Sequence, residues 1–221
     1  LPKRPNDALI KHLGEASNKE LNGAELTNVM ARAISERRAS ALMKATPAAM
    51  TAVQPDQYGR IDSLHSPESD KVGSVQEVTA MAKIDTESGQ LLAPYEKVVD
   101  GKPTGEIEYI SAAKERNKYI VGWDNDLSES TVMARCNGDV TTVSREQVSY
   151  RDASAFCDMS VSRMTIPFPE FSQPRRSLMA TKMSGQAVPL LFPERPRVST
   201  GADMEVPCLY YTGRQIVEAG L

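Results

Sequence analysis

The chain has 221 residues, of which 40% are hydrophobic and 25% charged, and its net charge is −3. That composition belongs to one or two folded domains and excludes a disordered tail. No apolar run approaches the roughly 18 residues of a membrane span. Three scattered cysteines (Cys136, Cys157, Cys208) and two histidines (His12, His65) make neither a disulfide framework nor a four-ligand zinc site, and give little support to a histidine-dependent hydrolase.

In chain order, residues 1–19 are polar and partly irregular. Leu26, Val29, Met30, Ala33 and Ile34 then form one apolar stripe, which predicts a helix from about Glu25. Arg37 and Arg38 fall near its end, where cations suit the helix dipole. Thr46–Tyr58 is small-residue loop with Pro47 and Pro55, and Gly59–Gly73 is turn-rich. Val75–Ala82 fits a short helix or a strand. From Lys83 to Tyr150, β-rich runs alternate with turns: Tyr95–Val99, Glu106–Ile110, Lys118–Trp123, Thr131–Cys136, Val140–Val143 and Gln147–Tyr150. Asp100-Gly101 and Asn137-Gly138 are hairpin signals. Asp124–Glu129 is expected to be an exposed acidic loop, and Trp123 a core residue.

The prolines of Ile166–Phe171 forbid a regular helix there. A helix is expected from Pro174, a good first-turn residue, taking in Leu178, Met179 and Met183. Its opening residues are Arg175 and Arg176. Two cations in a first turn oppose the dipole by roughly 0.3–1 kcal/mol each. They suit an anion bound at the helix end, or else reach away into solvent. Basic charge is also clustered: residues 32–44 hold four cations against one carboxylate, and residues 171–200 hold five against one. On an acidic background that is either a phosphate-facing surface or two solvated faces.

Several catalytic signatures are missing from the sequence. It carries no Walker A loop, no G-x-G-x-x-G after a strand and no G-x-S-x-G elbow. Chemistry carried by these residues alone is hard to build.

Four stretches, in order, resemble the central part of the β subunit of multi-subunit RNA polymerase. Residues 35–42, SERRASAL, are similar to HKRRISAL of the rifampicin-pocket region, and residues 58–73, YGRIDSLHSPESDKVG, to YGRxCPIETPEGPNIG. Residues 94–111, PYEKVVDGKPTGEIEYIS, resemble PYRKVxDGxVTDEIxYLS of the external lobe. Residues 175–191, RRSLMATKMSGQAVPLL, resemble NRALMGANMQRQAVPLL. Asp62-Ser63 stand in place of Cys-Pro, and His65 in place of the first Glu of ETPE. Gly185 replaces an Arg. The extent of this drift resembles a large bacteriophage's own polymerase with a split β subunit.

The resemblance implies an α+β, irregular, multi-lobed β-subunit piece. Its parts would be a helical fork and rifampicin-pocket region over 1–82, an inserted β-rich external lobe over 83–152, and the start of a hybrid-binding, barrel-like region over 153–221. It implies DNA-directed RNA synthesis, with Arg176 facing the phosphates of the incoming nucleotide and Glu68 beside it as catalytic residues. Arg37, Arg38, Ser40, Lys71, Lys182 and Gln186 would contact nucleic acid. Mg2+ would be held by a β′-like partner subunit and not by this chain, and no zinc is expected. Partners would be the other polymerase subunits, DNA template, nascent RNA and NTPs, with no membrane. The expected location is the bacterial cytoplasm, or an infected host and its virions for a phage enzyme. Ser35, at a His position of the rifampicin pocket, implies weak or no rifampicin binding. The alternative is a non-catalytic scaffold protein derived from a polymerase subunit; an unrelated β-rich nucleic-acid module would carry more aromatic residues than 5%.

Overall fold

The computed structural model describes residues 38–40, 52–67, 72–73 and 75–186. The predicted helix from Glu25 lies outside them. The described fold is mixed α and β, with many strands and few helices. It divides into two compact units. One takes the described residues of Leu1–Val53, Ile61–Ala80 and Met159–Leu221. The other takes Gln54–Arg60 and Met81–Asp158.

The second unit is built on a seven-stranded sheet. Its strands are β3 (Lys83–Ile84), β4 (Leu91–Val99), β5 (Lys102–Ser111), β6 (Tyr119–Val121), β7 (Thr131–Cys136), β8 (Asp139–Ser144) and β9 (Val148–Asp152). The order runs β3-β4-β9-β6-β7-β8, with β5 paired to β4. All pairings are antiparallel except β6 with β9. A short helix α1 (Ala112–Glu115) follows β5.

Both predicted hairpins form where the sequence puts them. Asp100 and Gly101 have φ of 51° and 70°, and Asn137 and Gly138 have φ of 53° and 95°. Positive φ at both central residues matches the right-handed twist of the strands they join. Gly138 is needed for space as well, because a Cβ there would lie 2.6 Å from Pro55 Cγ.

Alternation of side chains across the strands splits the core in two. At β6, Ile120 joins Ala93, Tyr95 and Ile110, while its neighbour Val121 joins Val98, Leu127, Val132, Ala134, Val143 and Val148. Burying each such aliphatic side chain stabilises by about 1.5–3 kcal/mol. Trp123 corrects the sequence reading: it is 54% exposed. The strand ends at Val121, so the chain has left the sheet before the indole. Leu127, arriving with φ of 58°, enters the core from the acidic loop.

Segment Gln54–Arg60 is fastened to this sheet by Arg60, which is fully buried. Its guanidinium donates to the carbonyls of Leu91 (3.2 Å), Ile110 (2.9 Å), Asp56 (3.1 Å) and Tyr58 (3.3 Å), and pairs with Glu115 at 2.7 Å.

Among its described residues, the first unit has two short strands and two helices. Strand β1 (Arg38–Ser40) pairs antiparallel with β2 (Val75–Glu77), so Val75–Ala82 begins as a strand. An isolated antiparallel bridge joins Ile61 to Val78. Helix α2 (Val161–Met164) packs on helix α3 (Pro174–Gln186). Between them runs a proline-framed turn, Pro169–Phe171, entered through Phe168 at φ of 52°.

Candidate functional site

Helix α3 starts at Pro174, as expected. The Gln173 carbonyl accepts from the backbone N–H of Arg176 (2.9 Å) and Ser177 (3.1 Å), and so caps the first turn. The buried face of this helix is Ser177 and Thr181, one turn apart. Thr181 Oγ1 donates to the Leu178 carbonyl at 2.8 Å, so its hydroxyl is satisfied inside the helix. Small polar residues therefore make the packed face, and the larger Met183 is left 69% exposed.

The opposite face follows from helical geometry. Arg175, Met179, Lys182 and Gln186 fall at i, i+4, i+7 and i+11, beside Arg176 and Met183. Arg175, Arg176 and Gln186 are exposed and Lys182 is half-buried. Arg176 Nη1 lies 3.5 Å from Met179 Sδ, a weak acceptor. Among the described residues Arg176 has no ion-pair partner, which leaves its donor fork available. Three expected contact residues, Arg176, Lys182 and Gln186, thus lie on the side of the helix turned away from Ser177 and Thr181.

The other expected residues fall elsewhere. The backbone of Arg38 pairs with Glu77 and that of Ser40 with Val75. Arg37, Glu68 and Lys71 lie outside the described residues, as does Ser35. No group of three or more His, Cys, Asp or Glu able to hold a metal ion occurs among the described residues.

A buried polar cluster in this same unit was not anticipated from the sequence. The Asp62 carboxylate is fully buried. Its Oδ1 accepts from Leu64 N (2.8 Å) and Arg163 Nη1 (3.2 Å), and its Oδ2 from Ser160 N (2.8 Å). Asp62 N in turn donates to the Glu77 carbonyl at 2.9 Å. Ser160 caps α2, its Oγ accepting from Arg163 N at 3.3 Å. His65 Nδ1 lies 3.1 Å from Ser162 Oγ and 3.0 Å from Glu77 Oε2, and Ser162 Oγ donates to that same Glu77 oxygen at 3.0 Å. Ser66 Oγ accepts from Gly73 N at 2.7 Å and holds the loop ends together.

Serine, histidine and glutamate in contact suggest a nucleophilic triad, but the geometry is a different one. A triad needs serine on one imidazole nitrogen and the carboxylate on the other, with the serine reachable. Here both partners crowd Nδ1, and Ser162 is fully buried. The grouping is a structural lock.

The sheet unit has its own polar centre. Arg135 grips Asp152 with two hydrogen bonds, at 2.7 and 2.5 Å, and its guanidinium lies 4.0 Å from the centre of the Tyr58 ring. Burial opposes the Arg135 charge, but the hydrogen bonds and charge of Asp152 outweigh it and raise its pKa. Tyr58 donates to Asp152 at 3.2 Å, and burial, with the Asp152 charge, pushes its phenol above the ordinary range. Arg151 pairs with Glu96, whose other oxygen accepts from Gly105 N at 2.8 Å. Tyr58 and Arg60 of the sequence motif therefore serve packing in this unit.

Two family descriptions match in chain order. "RNA polymerase Rpb2, domain 3" covers residues 23–84, and "RNA polymerase beta subunit external 1 domain" covers residues 95–154. The DNA-directed RNA polymerase subunit beta of Treponema denticola is 41% identical over 162 residues, 71% of this chain. The chain belongs to the RNA polymerase β-subunit family. The β subunit of Rubrobacter xylanophilus is 36% identical over 192 residues (80% of this chain), and that of Aquifex aeolicus 36% over 160 residues (70%). These matches span 14%, 17% and 11% of the three β subunits. The external 1 match lies wholly within the sheet unit.

Proposed function

We propose that the chain forms part of the β subunit of a multi-subunit DNA-directed RNA polymerase. In this reading it lines the active-centre cleft and is inactive by itself. The observation that carries the proposal is the exposed face of α3, with Arg176, Lys182 and Gln186 turned away from the packed Ser177 and Thr181.

Nucleotidyl transfer asks a protein mainly for positioning and for charge aimed at the phosphates. A guanidinium offers planar, paired donors that match phosphate oxygens. Arg176 would hold the incoming NTP this way, with Glu68 orienting it. Lys182 and Lys71 would add backbone contacts that position without reading sequence. Gln186 would lie near the RNA 3′ end, and Arg37, Arg38 and Ser40 along the RNA–DNA hybrid. Mg2+ and its aspartates would come from a β′-like partner. The division into 1–82, 83–152 and 153–221 belongs to this proposal. So does a bacteriophage origin, which the departures at Asp62, Ser63, His65 and Lys182 favour. No helix among the described residues is long and apolar enough to cross a membrane.

The test is Arg176→Ala in the assembled enzyme. Removing one transition-state donor costs about 100- to 1,000-fold in turnover. Nucleotide incorporation should fall by that order, with subunit assembly unchanged by native mass spectrometry. Full incorporation by the assembled variant would leave the scaffold reading in its place.

A further inference from the structure

The cluster around Asp62 joins three pieces of chain that are distant in sequence: the loop 61–66, strand β2, and the first turn of α2. We propose that this cluster is a positioning device for the nucleotide-phosphate site, with His65 and Asp62 as its working residues. The inference rests on the function proposed above for Arg176.

Its place in the chain carries the argument. Glu68 comes three residues after His65, and Ser66 closes the same loop onto Gly73. On the other side, Ser160, Ser162 and Arg163 sit on α2, which packs against the helix bearing Arg176. The Asp62 carboxylate and the His65 ring thus tie the loop 61–66 to the helix that packs against the one bearing Arg176. Strand β2 is the third anchor, through the Glu77 carboxylate and carbonyl.

The energetics point the same way. A buried ionic and hydroxyl cluster adds little stability over apolar packing of the same volume, because desolvation offsets the attraction. What such a cluster supplies is register, since each member is satisfied in only one arrangement. Glu77 Oε1, buried and without a hydrogen-bond partner among the described residues, shows that this arrangement is not the cheapest way to fill the space. Asp62 and His65 are also two positions at which the loop departs from the motif it resembles. Their partners, Arg163 with Ser160 N and Glu77 with Ser162, are those that these side chains require. Loop, strand and helix form one matched set.

The test uses the assembled polymerase and a double-mutant cycle. His65→Gln and Asp62→Asn keep shape while loosening the lock. Each should lower kcat/KM for NTP by about 10- to 100-fold, the scale of a small misplacement at a reacting centre, with assembly retained. In an Arg176→Ala background the same changes should cost less than about 2-fold, because there is no positioned guanidinium left to disturb. Multiplicative losses in that background would overturn the proposal and leave a structural role only. Unchanged kcat/KM in the single variants would overturn it as well. If His65→Gln fails to assemble, Ser162→Ala, which removes one bond of the lock, takes its place and must meet the same two criteria. An Arg176→Ala enzyme of full activity would instead sink the function on which the inference rests, so the two failures are told apart.

Discussion

In the sheet unit the chain is held by Val98, Val121, Leu127, Val132, Val143 and Val148 on one side of the strands, and by Ala93, Tyr95, Ile110 and Ile120 on the other. In the unit containing α2 and α3, apolar residues such as Ile61, Val78 and Met164 are buried too. There they share the interior with Asp62, His65, Glu77, Ser160, Ser162, Ser177 and Thr181. The first kind of interior is graded, because each methylene lost is felt in proportion to its volume. The second kind is close to all-or-none, because losing one member strands the others in a medium of low dielectric. If α3 holds phosphates as proposed, the second kind of interior is the better support for it.

That contrast can be broken most sharply at Asp62. Asp62→Ala leaves Leu64 N, Ser160 N and the Arg163 guanidinium without their acceptor. Removing one partner of a buried pair costs about 3–5 kcal/mol. Amide hydrogen exchange on the assembled complex would read it as a collapse of protection at Leu64 and Ser160, with the β4–β9 amides of the other unit unmoved. Ile120→Val removes one buried methyl and should cost only about 0.5–1.5 kcal/mol, seen at the β6 and β9 amides. Equal effects from the two substitutions would mean that the interiors do not differ in kind.

The same contrast explains what was legible in the sequence. The β7 strand and both hairpin turns were readable because alternation and the Asp-Gly and Asn-Gly pairs are local signals. The start of α3 was readable from Pro174. The polar lock was not readable. Asp62 meets Arg163 across 101 positions and Ser160 across 98, and His65 meets Ser162 across 97. No periodicity links residues so far apart. The only trace was that Asp62 and His65 are two of the several positions at which this stretch departs from the motif it resembles. Trp123 was misplaced because its size argued for burial, whereas the end of β6 two residues earlier decided the matter. The packed face of α3 was hidden because serine and threonine fill it, and neither gives a hydrophobic period.

A further expected effect is chemical. Cys157 is 1% exposed, its sulfur accepts from Ser154 N at 3.3 Å, and burial pushes its thiol up to about 11. The thiolate is the reactive form. At pH 8 a small alkylating reagent should therefore label the half-buried Cys136 first and leave Cys157 unmodified until the fold is opened with denaturant. The linkage has a definite sign. The folded thiol holds its proton more tightly than an ordinary one near 9, so its contribution is intact below that pH. It is lost as pH rises toward 11, where the thiolate favours the unfolded chain, and it is on the order of 3 kcal/mol at most. Tyr58 and Tyr95, raised chiefly by burial, push in the same direction. The sheet unit should accordingly weaken in mild alkali, and mass spectrometry should find Cys157 alkylation rising with pH faster than a simple ionisation near 9 allows. Equal labelling of Cys136 and Cys157 at pH 8 in the folded protein would show that this interior opens more readily than its packing implies.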